Sequence, residues 1–221
     1  VERSRGLGDV YKRQTLARYG LDEASLRKLN PRLVYCSVTG FGQTGPRRDQ
    51  PAYDFLIQAM GGLMSVTGER DGLPGAGPQK VGVPIVDLMT GMYTAVAVLG
   101  ALAQRERTGQ GEFIDVAMLD VQVASLANQA MNYLVSGKVP RRNGNAHPNI
   151  QPQDVYSCAD GDVILVVGND GQYAKLCEAL GRPELATDAR YATNAQRVRH
   201  IAELSATLRD LFGAWPRERL I

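Results

Sequence analysis

The sequence predicts an α/β fold with a parallel sheet in its first half and a smaller α+β unit after it. Strand-like and helix-like segments alternate between residues 33 and 135, which is typical of parallel strands joined by helices. Two β-rich runs, at residues 155–159 and 163–167, flank Asp160-Gly161, a dipeptide that favours a tight hairpin turn, and helical patterns follow them. The smaller unit is therefore expected to begin near residue 140.

Apolar spacing and turn residues set the predicted elements of the first half. A run rich in β-branched residues between Pro31 and Gly40 predicts a strand, and the helix before it has Asp22 as its N-cap. In order, the expected elements are a helix at residues 21–30, a strand at 33–39, a helix at 53–64, an irregular stretch at 69–84, a helix at 87–107, a strand at 113–118 and a helix at 120–135.

In the second half, a loop precedes the hairpin and two helices follow it. The loop at residues 138–152 combines Pro, Gly, Asn and Arg and lacks apolar periodicity. The helices are expected at residues 171–180 and 195–212, where apolar residues recur at helical spacing.

The composition of the 221-residue chain excludes several functional classes. Its 25 basic and 23 acidic residues nearly cancel, which argues against a nucleic-acid-binding protein. Three distant cysteines and two histidines offer no metal-ligand spacing, so no metal site is expected. The longest apolar run, residues 92–103, is too short to cross a bilayer and predicts a buried helix segment. With distant cysteines and no visible signal peptide, we expect a cytoplasmic protein.

Both ends of the chain differ from the rest. Residues 1–14 lack helical or strand periodicity and are set aside as a suspected artefact. Residues 217–221 follow a charged helical pattern without a cap or turn. We therefore expect the chain to be an internal fragment of a longer protein.

A glycine-rich segment, Gly40-x-Gly42-x-x-Gly45, follows the first predicted strand, as it does in dinucleotide-binding folds. Those folds place a helix N-terminus directly after the glycines, whereas residues 46–51 here contain two prolines and four polar residues. The sequence therefore predicts a loop that is not a dinucleotide site, although its glycines allow a ligand to approach the backbone closely.

Asp87 lies between an apolar run at residues 81–86 and the apolar helix that follows. Asp is a favoured N-cap, so capping that helix is the simplest interpretation. The same position also suits a nucleophile, because the helix dipole favours the ionised carboxylate and a carboxylate can attack an activated acyl carbon. Spacing alone leaves both interpretations open.

Five segments of the sequence together resemble the class III CoA-transferases, the CaiB/BaiF type. They are, in order, NPRLVYCSVTGFGQTGP, AYDFLIQAMGGLMSVTGE, VGVPIVDLMTGMY, LAQRERTGQGEFIDVAMLD and RRNGNAHPNI. The resemblance implies a Rossmann-like large domain, here partial at residues 15–139, and an incomplete smaller domain at residues 140–221. It also implies an interlocked homodimer when full length, acyl-CoA and a carboxylic acid as substrates, and no permanently bound cofactor.

The resemblance assigns the nucleophile's role to Asp87. Its carboxylate would attack an acyl-CoA, form a mixed anhydride and then an aspartyl-CoA thioester, and finally pass CoA to a second acid. The related α-methylacyl-CoA racemases use a His/Asp pair, and their His aligns with Tyr53, a poor base because a phenol has a pKa of about 10. Tyr53 therefore favours transfer and is expected near the acyl-CoA. A racemase-like enzyme and a non-catalytic acyl-CoA-binding fragment remain the alternatives.

The segment at residues 141–150 matches a mobile loop beside the active carboxylate in the same family. From sequence alone, a domain linker with a satisfied histidine is an equal alternative. The resemblance makes His147 and Asn149 the candidates for substrate contact, in a loop that would shield the anhydride from water. The family usually continues with Pro-Tyr-Gln, whereas this chain has Pro152-Gln153-Asp154, and this departure weakens a detailed correspondence.

Overall fold

The computed structural model describes residues 13–219, whose contacts group them into two units. The first comprises the described residues up to Ser65 together with Gln79–Pro140, and the second comprises Val66–Pro78 together with the residues from Arg141 onward. Of the segment set aside at residues 1–14, only the last two residues are described, and they begin the first helix. The predicted domain boundaries stay a prediction about the full-length protein.

The first unit alternates helices with two strands, in the order that the sequence predicts. Its first helices precede a strand, and Asp22 caps the second of them by accepting a hydrogen bond from the Ser25 amide, as predicted. The elements are α1 (Arg13–Arg18), α2 (Glu23–Leu29), β1 (Tyr35–Thr39), α3 (Asp54–Met60), α4 (Leu63–Val66), α5 (Ile85–Thr108), β2 (Phe113–Ala117), α6 (Met118–Ser125) and α7 (Asn128–Ser136).

Strands β1 and β2 pair in parallel, which confirms the predicted parallel sheet. Tyr35 pairs with Phe113 at one end, where the two ring centroids are 5.9 Å apart, and Thr39 pairs with Ala117 at the other. Aromatic and β-branched side chains fit this pleated, half-buried surface. Because the strands are parallel, both carboxyl ends meet at one edge, where the glycine-rich segment and α6 begin.

Two predicted helices of this unit are divided in the structure. The helix expected at residues 53–64 ends at Gly61, and α4 starts two residues later. The helix expected at residues 120–135 breaks at Ala127, whose φ of 47° is not helical, and so becomes α6 and α7. The Gly61-Gly62 pair, which loosens a helix end, marks the first break in the sequence, whereas apolar residues continue through the second, so periodicity did not mark that one.

Helix α5 starts at Ile85, two residues earlier than predicted, and ends at Gly109 in the left-handed conformation typical of a helix end. It is long and apolar enough to cross a membrane by length and composition alone, a test that core helices of soluble proteins also pass. Only 17% of its most apolar window is buried, so the prediction that residues 92–103 are buried is wrong for this chain. The contacts of α5 with α3, α6 and the two strands cover only part of it.

The second unit is built on the predicted hairpin. Strands β3 (Gln153–Cys158) and β4 (Gly161–Val166) pair antiparallel, and the turn lies one residue earlier than predicted because Cys158 faces Gly161. The helix expected at residues 195–212 is divided at His200. The elements after the hairpin are α8 (Asp170–Ala179), α9 (Glu184–Thr187), α10 (Asn194–Arg199), α11 (Ile201–Gly213) and a short 3₁₀ helix (Arg217–Arg219).

The core of the second unit lies between the hairpin and helices α8 and α11. Tyr156 of β3 stacks on Phe212 of α11 with 4.9 Å between ring centroids, and Leu204 and Leu208 fill the space beside them with no exposed area. These α11 positions are spaced by four residues, so one face of the helix supplies them all. The apolar spacing of α11 therefore fixes which of its faces packs on the sheet.

Gly111 provides a test of how tightly the start of β2 packs. Its amide donates to the carbonyl of Pro31, and an added Cβ would overlap the backbone of Leu33. In the full-length protein, Gly111→Ala is expected to lower the free energy of unfolding by about 1–3 kcal/mol, measured by urea denaturation.

The matched control is Gly213→Ala, at an open position in the last turn of α11. Ala favours a helix over Gly by about 1 kcal/mol, so this variant should be more stable than the parent. Equal shifts of the two variants in the same direction would contradict the proposed packing at Gly111.

Candidate functional site

Asp87 is the third residue of α5 and not its N-cap, so the capping interpretation is wrong. The N-cap position is occupied by Pro84, which makes no side-chain capping bond. Among residues 13–219, Asp87 has no hydrogen-bond or ion-pair partner. The carboxylate is exposed in the first helical turn, where the helix dipole favours a negative charge.

Asp54, the first residue of α3, caps α5 from outside the helix. Its Oδ1 accepts a 2.8 Å hydrogen bond from the amide of Val86, one of the donors that lack an intrahelical partner. Its Oδ2 accepts a 2.6 Å hydrogen bond from Nε2 of Gln58, one turn further along α3. Gln58 is fully buried, and its Oε1 accepts a 2.9 Å hydrogen bond from the amide of Val81. We call Asp54 and Gln58, with these two amides, the Asp54 clamp.

The surroundings of Asp87 raise its pKa above the ordinary carboxyl value. Although the side chain is accessible, neighbouring protein atoms remove part of its water, and this desolvation is the larger cause. The negative charge of Asp54 is the second cause. A shifted carboxyl group at an accessible helix start is the kind of perturbation that clusters at functional sites.

Tyr53 occupies the N-cap position of α3, directly before Asp54. Because Asp54 is hydrogen-bonded to Val86, the neighbour of Asp87, the clamp brings the starts of α3 and α5 together. The Tyr53 side chain is 80% exposed and makes no capping hydrogen bond. The structure thus places Tyr53 and Asp87 on two helix starts that one hydrogen bond joins.

The glycine-rich segment after β1 is held by two hydrogen bonds that use its own amides. The amide of Gly42 donates to Oγ1 of Thr39 at 3.0 Å, and the amide of Gln43 donates to Oδ2 of Asp115 on β2 at 2.7 Å. Turns follow the segment where a dinucleotide fold would have a helix. These two amides are already engaged, which removes them from the possible donors to a bound anion.

His147 and Asn149, the two loop candidates, lie in the second unit and contact each other. Nδ1 of His147 accepts hydrogen bonds from the amides of Asn149 and Ile150, at 3.1 and 3.0 Å. The carbonyl of Asn149 accepts a 2.9 Å hydrogen bond from Nδ2 of Asn194. The segment is therefore internally bonded, and the histidine ring is fixed by its own loop.

No group of three or more His, Cys, Asp or Glu side chains within residues 13–219 is placed to hold a metal ion. The candidate site must therefore be interpreted from its carboxylates, amides and phenol. Among the described residues, the carboxylate of Asp87 is the group at the start of α5 that is placed to react, and the Asp54 clamp holds this helix start in position.

Asp54 and Gln58 are the site residues that the sequence analysis missed. They form an i, i+4 pair of polar side chains on a short helix whose other residues are mostly apolar. Polar side chains that become buried need hydrogen-bond partners. The presence of this pair on an apolar helix was therefore a signal of a functional or structural network that the sequence offered. Their partners are backbone amides 23 and 32 residues away, which no sequence pattern names.

Comparisons with known proteins agree on one family. The sequence matches CoA-transferase family III over residues 8–221. It is 52% identical over 211 residues to a succinate–glutarate CoA-transferase of Agrobacterium fabrum, covering 96% of this chain and 52% of that protein. The chain spans about half the length of the curated relatives that it matches.

Two solved structures share the fold. A CAIB/BAIF family protein from Brucella suis superposes with a TM-score of 0.74 at 51% identity, covering 95% of this chain and 55% of that one. A hypothetical protein from Mycobacterium tuberculosis superposes with a TM-score of 0.79 at 32% identity, covering 94% of this chain and 54% of that one. Both matches extend over nearly all of the chain, so they include both of its units.

The Asp54 clamp predicts a large loss of stability when its carboxylate is removed. In the full-length protein, Asp54→Ala should lower the free energy of unfolding by about 2–4 kcal/mol, because a helix-start amide and a buried amide side chain both lose their acceptor. Asp54→Asn keeps one acceptor oxygen and should cost less. Urea denaturation measures both variants, with Asp120→Ala, an exposed acid of α6, as the control. A loss no larger than that of the control would contradict the clamp.

The raised pKa of Asp87 predicts a pH-dependent gain from its neutralisation. A raised folded-state pKa means that the ionised carboxylate destabilises the native state at neutral pH, and that this cost vanishes below the ordinary carboxyl pKa of about 3.9. Asp87→Asn should therefore be more stable than the parent at pH 7, and the gain should shrink as the pH falls. Thermal melts across this range test the trend.

Asp120→Asn is the matched control, because Asp120 is also the third residue of its helix. Losing a negative charge near a helix N-terminus should lower stability slightly. If both asparagine variants shift the melting temperature in the same direction at pH 7, the electrostatic account of Asp87 is wrong.

Proposed function

This chain belongs to CoA-transferase family III, and we propose that it is part of an enzyme that moves coenzyme A from an acyl-CoA to a carboxylic acid, with Asp87 as the nucleophile. The observation that carries this proposal is the state of Asp87. Its carboxylate is exposed in the first turn of α5, and the capping role that would occupy it is filled by Asp54. An acid without a structural task, on a helix start held by buried hydrogen bonds, is positioned to react.

The proposed reaction exchanges one activated acyl group for another. An oxygen of Asp87 attacks the thioester carbonyl of the acyl-CoA, the carbon–sulfur bond breaks, and CoA leaves as a thiolate from a mixed anhydride. The thiolate then attacks the aspartyl carbonyl, which releases the donor as a free carboxylate and leaves an aspartyl-CoA thioester. The acceptor carboxylate attacks that thioester, and the same two steps run in reverse to give the new acyl-CoA and free Asp87. Over the whole cycle one thioester bond is broken and one is formed, and Asp87 is regenerated. The reaction as proposed therefore uses CoA only as a substrate.

We propose that the acids exchanged are short dicarboxylic acids. The relative from Agrobacterium fabrum is named a succinate–glutarate CoA-transferase and shares 52% of its residues with this chain over the matched region. Tyr53, exposed on the helix start joined to that of Asp87, is proposed to contact the acyl-CoA. His147 and Asn149 are proposed to contact substrate from their internally bonded loop.

We further propose that the full-length protein is a cytoplasmic homodimer that binds neither nucleic acid nor a membrane. The apolar face of α5, where Leu88, Met92 and Val96 are exposed, supports the proposal that a further protein surface covers this helix. Soluble proteins rarely leave a continuous apolar surface of this kind uncovered. Covering α5 by the rest of the protein would also explain its hydropathy without a bilayer.

The racemase alternative is not favoured by any group at this site. Proton transfer at an α-carbon needs a base on each face of the substrate, and Tyr53 stands where that family has its histidine. A non-catalytic fragment is favoured only by the length of the chain, which spans about half of its relatives. Activity is therefore tested in the full-length protein.

Replacing Asp87 should abolish transfer in the full-length protein. Asp87→Ala is expected to lower the rate of CoA exchange between succinyl-CoA and glutarate by about a thousandfold or more, because the covalent path is lost. Mass spectrometry of the parent enzyme mixed with succinyl-CoA should find a CoA adduct on the peptide that contains Asp87. Asp120→Asn, at the matching position of α6, should keep near-normal activity.

Near-normal transfer by Asp87→Ala would remove Asp87 from the mechanism. An enzyme that exchanges deuterium at the α-carbon of a 2-methylacyl-CoA, without exchanging its acyl group, would be a racemase instead. Loss of activity together with a lowered melting temperature would indicate misfolding, which the circular dichroism spectrum of the variant distinguishes.

A further inference from the structure

The second unit contains a cavity of about 380 Å³, and its lining includes His147, one of the residues proposed above to contact substrate. Helix α11 forms one side and the loop before β3 forms the other. Its polar lining consists of Arg70, Asn143, His147, Gln151, Ser205 and Arg209. None of the described residues that line the cavity is acidic. A cavity lined by cations and neutral donors is complementary to an anion.

Arg70 is held in place by partners within the unit. Its Nη2 donates to Oδ2 of Asp154 at 2.7 Å, and its Nε donates to the carbonyl of Asn143 at 3.0 Å. Asp154 is 8% exposed, and its other oxygen accepts a 2.8 Å hydrogen bond from the amide of Val155. Arg70 therefore donates the side-chain hydrogen bond that this buried carboxylate requires, and Arg209 adds a second positive charge 4.0 Å from it.

Arg209 is the second cation, and it is an ion-pair neighbour of Asp154 without a hydrogen bond to it. Its closest approach to Asp154 is 4.0 Å, beyond hydrogen-bond distance, and the guanidinium makes no hydrogen bond to any of residues 13–219. Two arginines and one aspartate leave a net charge of +1 beside the cavity. Arg209 carries that surplus, with five N–H donors available to a ligand.

His147 adds a donor of fixed polarity to the same lining. Because its Nδ1 accepts two backbone hydrogen bonds, the ring proton of the neutral form is on Nε2. A histidine held in this tautomer can offer only a donor from its remaining nitrogen. The lining therefore presents hydrogen-bond donors from Arg70, Arg209 and His147, and Asp154, the carboxylate beside them, already accepts a hydrogen bond from Arg70.

We propose that this cavity is a binding site for the carboxylate group of a small organic acid, with Arg209 as the residue that recognises it. Planar guanidinium groups bind a carboxylate through two parallel hydrogen bonds. One carboxylate group of the acid neutralises the net charge of +1 that Arg70, Arg209 and Asp154 have together. Binding at this site requires no step of the proposed CoA transfer.

Calorimetric titration of the full-length protein with glutarate tests the site, and the Asp87→Ala variant serves as the background so that no turnover occurs. Arg209→Gln removes the unengaged cation and leaves the pair between Arg70 and Asp154 intact. It should weaken glutarate binding by about tenfold, the value of one or two charge-assisted hydrogen bonds. Arg199→Gln, an exposed arginine of α10 outside the cavity, should change binding by less than about twofold.

Three outcomes would overturn the proposal. They are equal glutarate affinity in the two glutamine variants, no saturable binding by the background protein, and inorganic phosphate binding as tightly as glutarate. Because the titration involves no covalent step, failure of Asp87 as a nucleophile would leave a positive result at Arg209 unchanged. The two proposals can therefore fail separately.

Discussion

The carboxylate of Asp54 is the constraint on which the candidate site depends. Helix α5 begins after Pro84, whose side chain offers no acceptor for the first helical amides. Asp54 supplies that acceptor from another helix, and Gln58 extends the same network to Val81 in the irregular chain before α5. One buried hydrogen-bond network thus fixes a helix start and the loop that leads into it. A short polar side chain on a neighbouring helix has replaced a local cap.

The replacement has a chemical consequence for Asp87. An acid that caps its own helix has both a hydrogen bond and a lowered tendency to react, because its oxygens are engaged by amides. Asp87 is spared this engagement, and its pKa is raised instead, mainly by the loss of surrounding water and also by the nearby charge of Asp54. The distant cap therefore stabilises the fold and leaves the carboxylate of Asp87, the proposed nucleophile, without a hydrogen-bond partner among the described residues. Such a cost in stability at a site of chemistry is common among enzymes.

Much of the local structure could be predicted from sequence, because it depends on neighbours along the chain. The cap at Asp22 and the hairpin were correct for this reason, whereas the parallel sheet was predicted from the alternation of strands and helices. The start of α5 was placed two residues late, because an Asp before an apolar run has the pattern of a local cap. The true capping residue lies 32 residues earlier than Val86, and pairing at that separation depends on how α3 packs. The break at Ala127 was missed because apolar spacing continues across it.

Two arginines of the second unit, Arg197 and Arg209, extend this contrast between groups with and without hydrogen-bond partners. Arg197 is fully buried, and each of its three guanidinium nitrogens donates a hydrogen bond, to Gln151, Tyr191 and Asp170 respectively, while its plane lies over the ring of Tyr173. Every demand of that buried charge is met within the unit, which is the signature of a structural cation. Arg209 lies on the next helix with its donors unused, although Asp154 is close enough to keep it oriented. Among the described residues, Arg209 has no hydrogen-bond partner beside the cavity, and Asp87 has none at its helix start. A polar group that the fold leaves without a hydrogen bond is available to a ligand, and this criterion selects both residues.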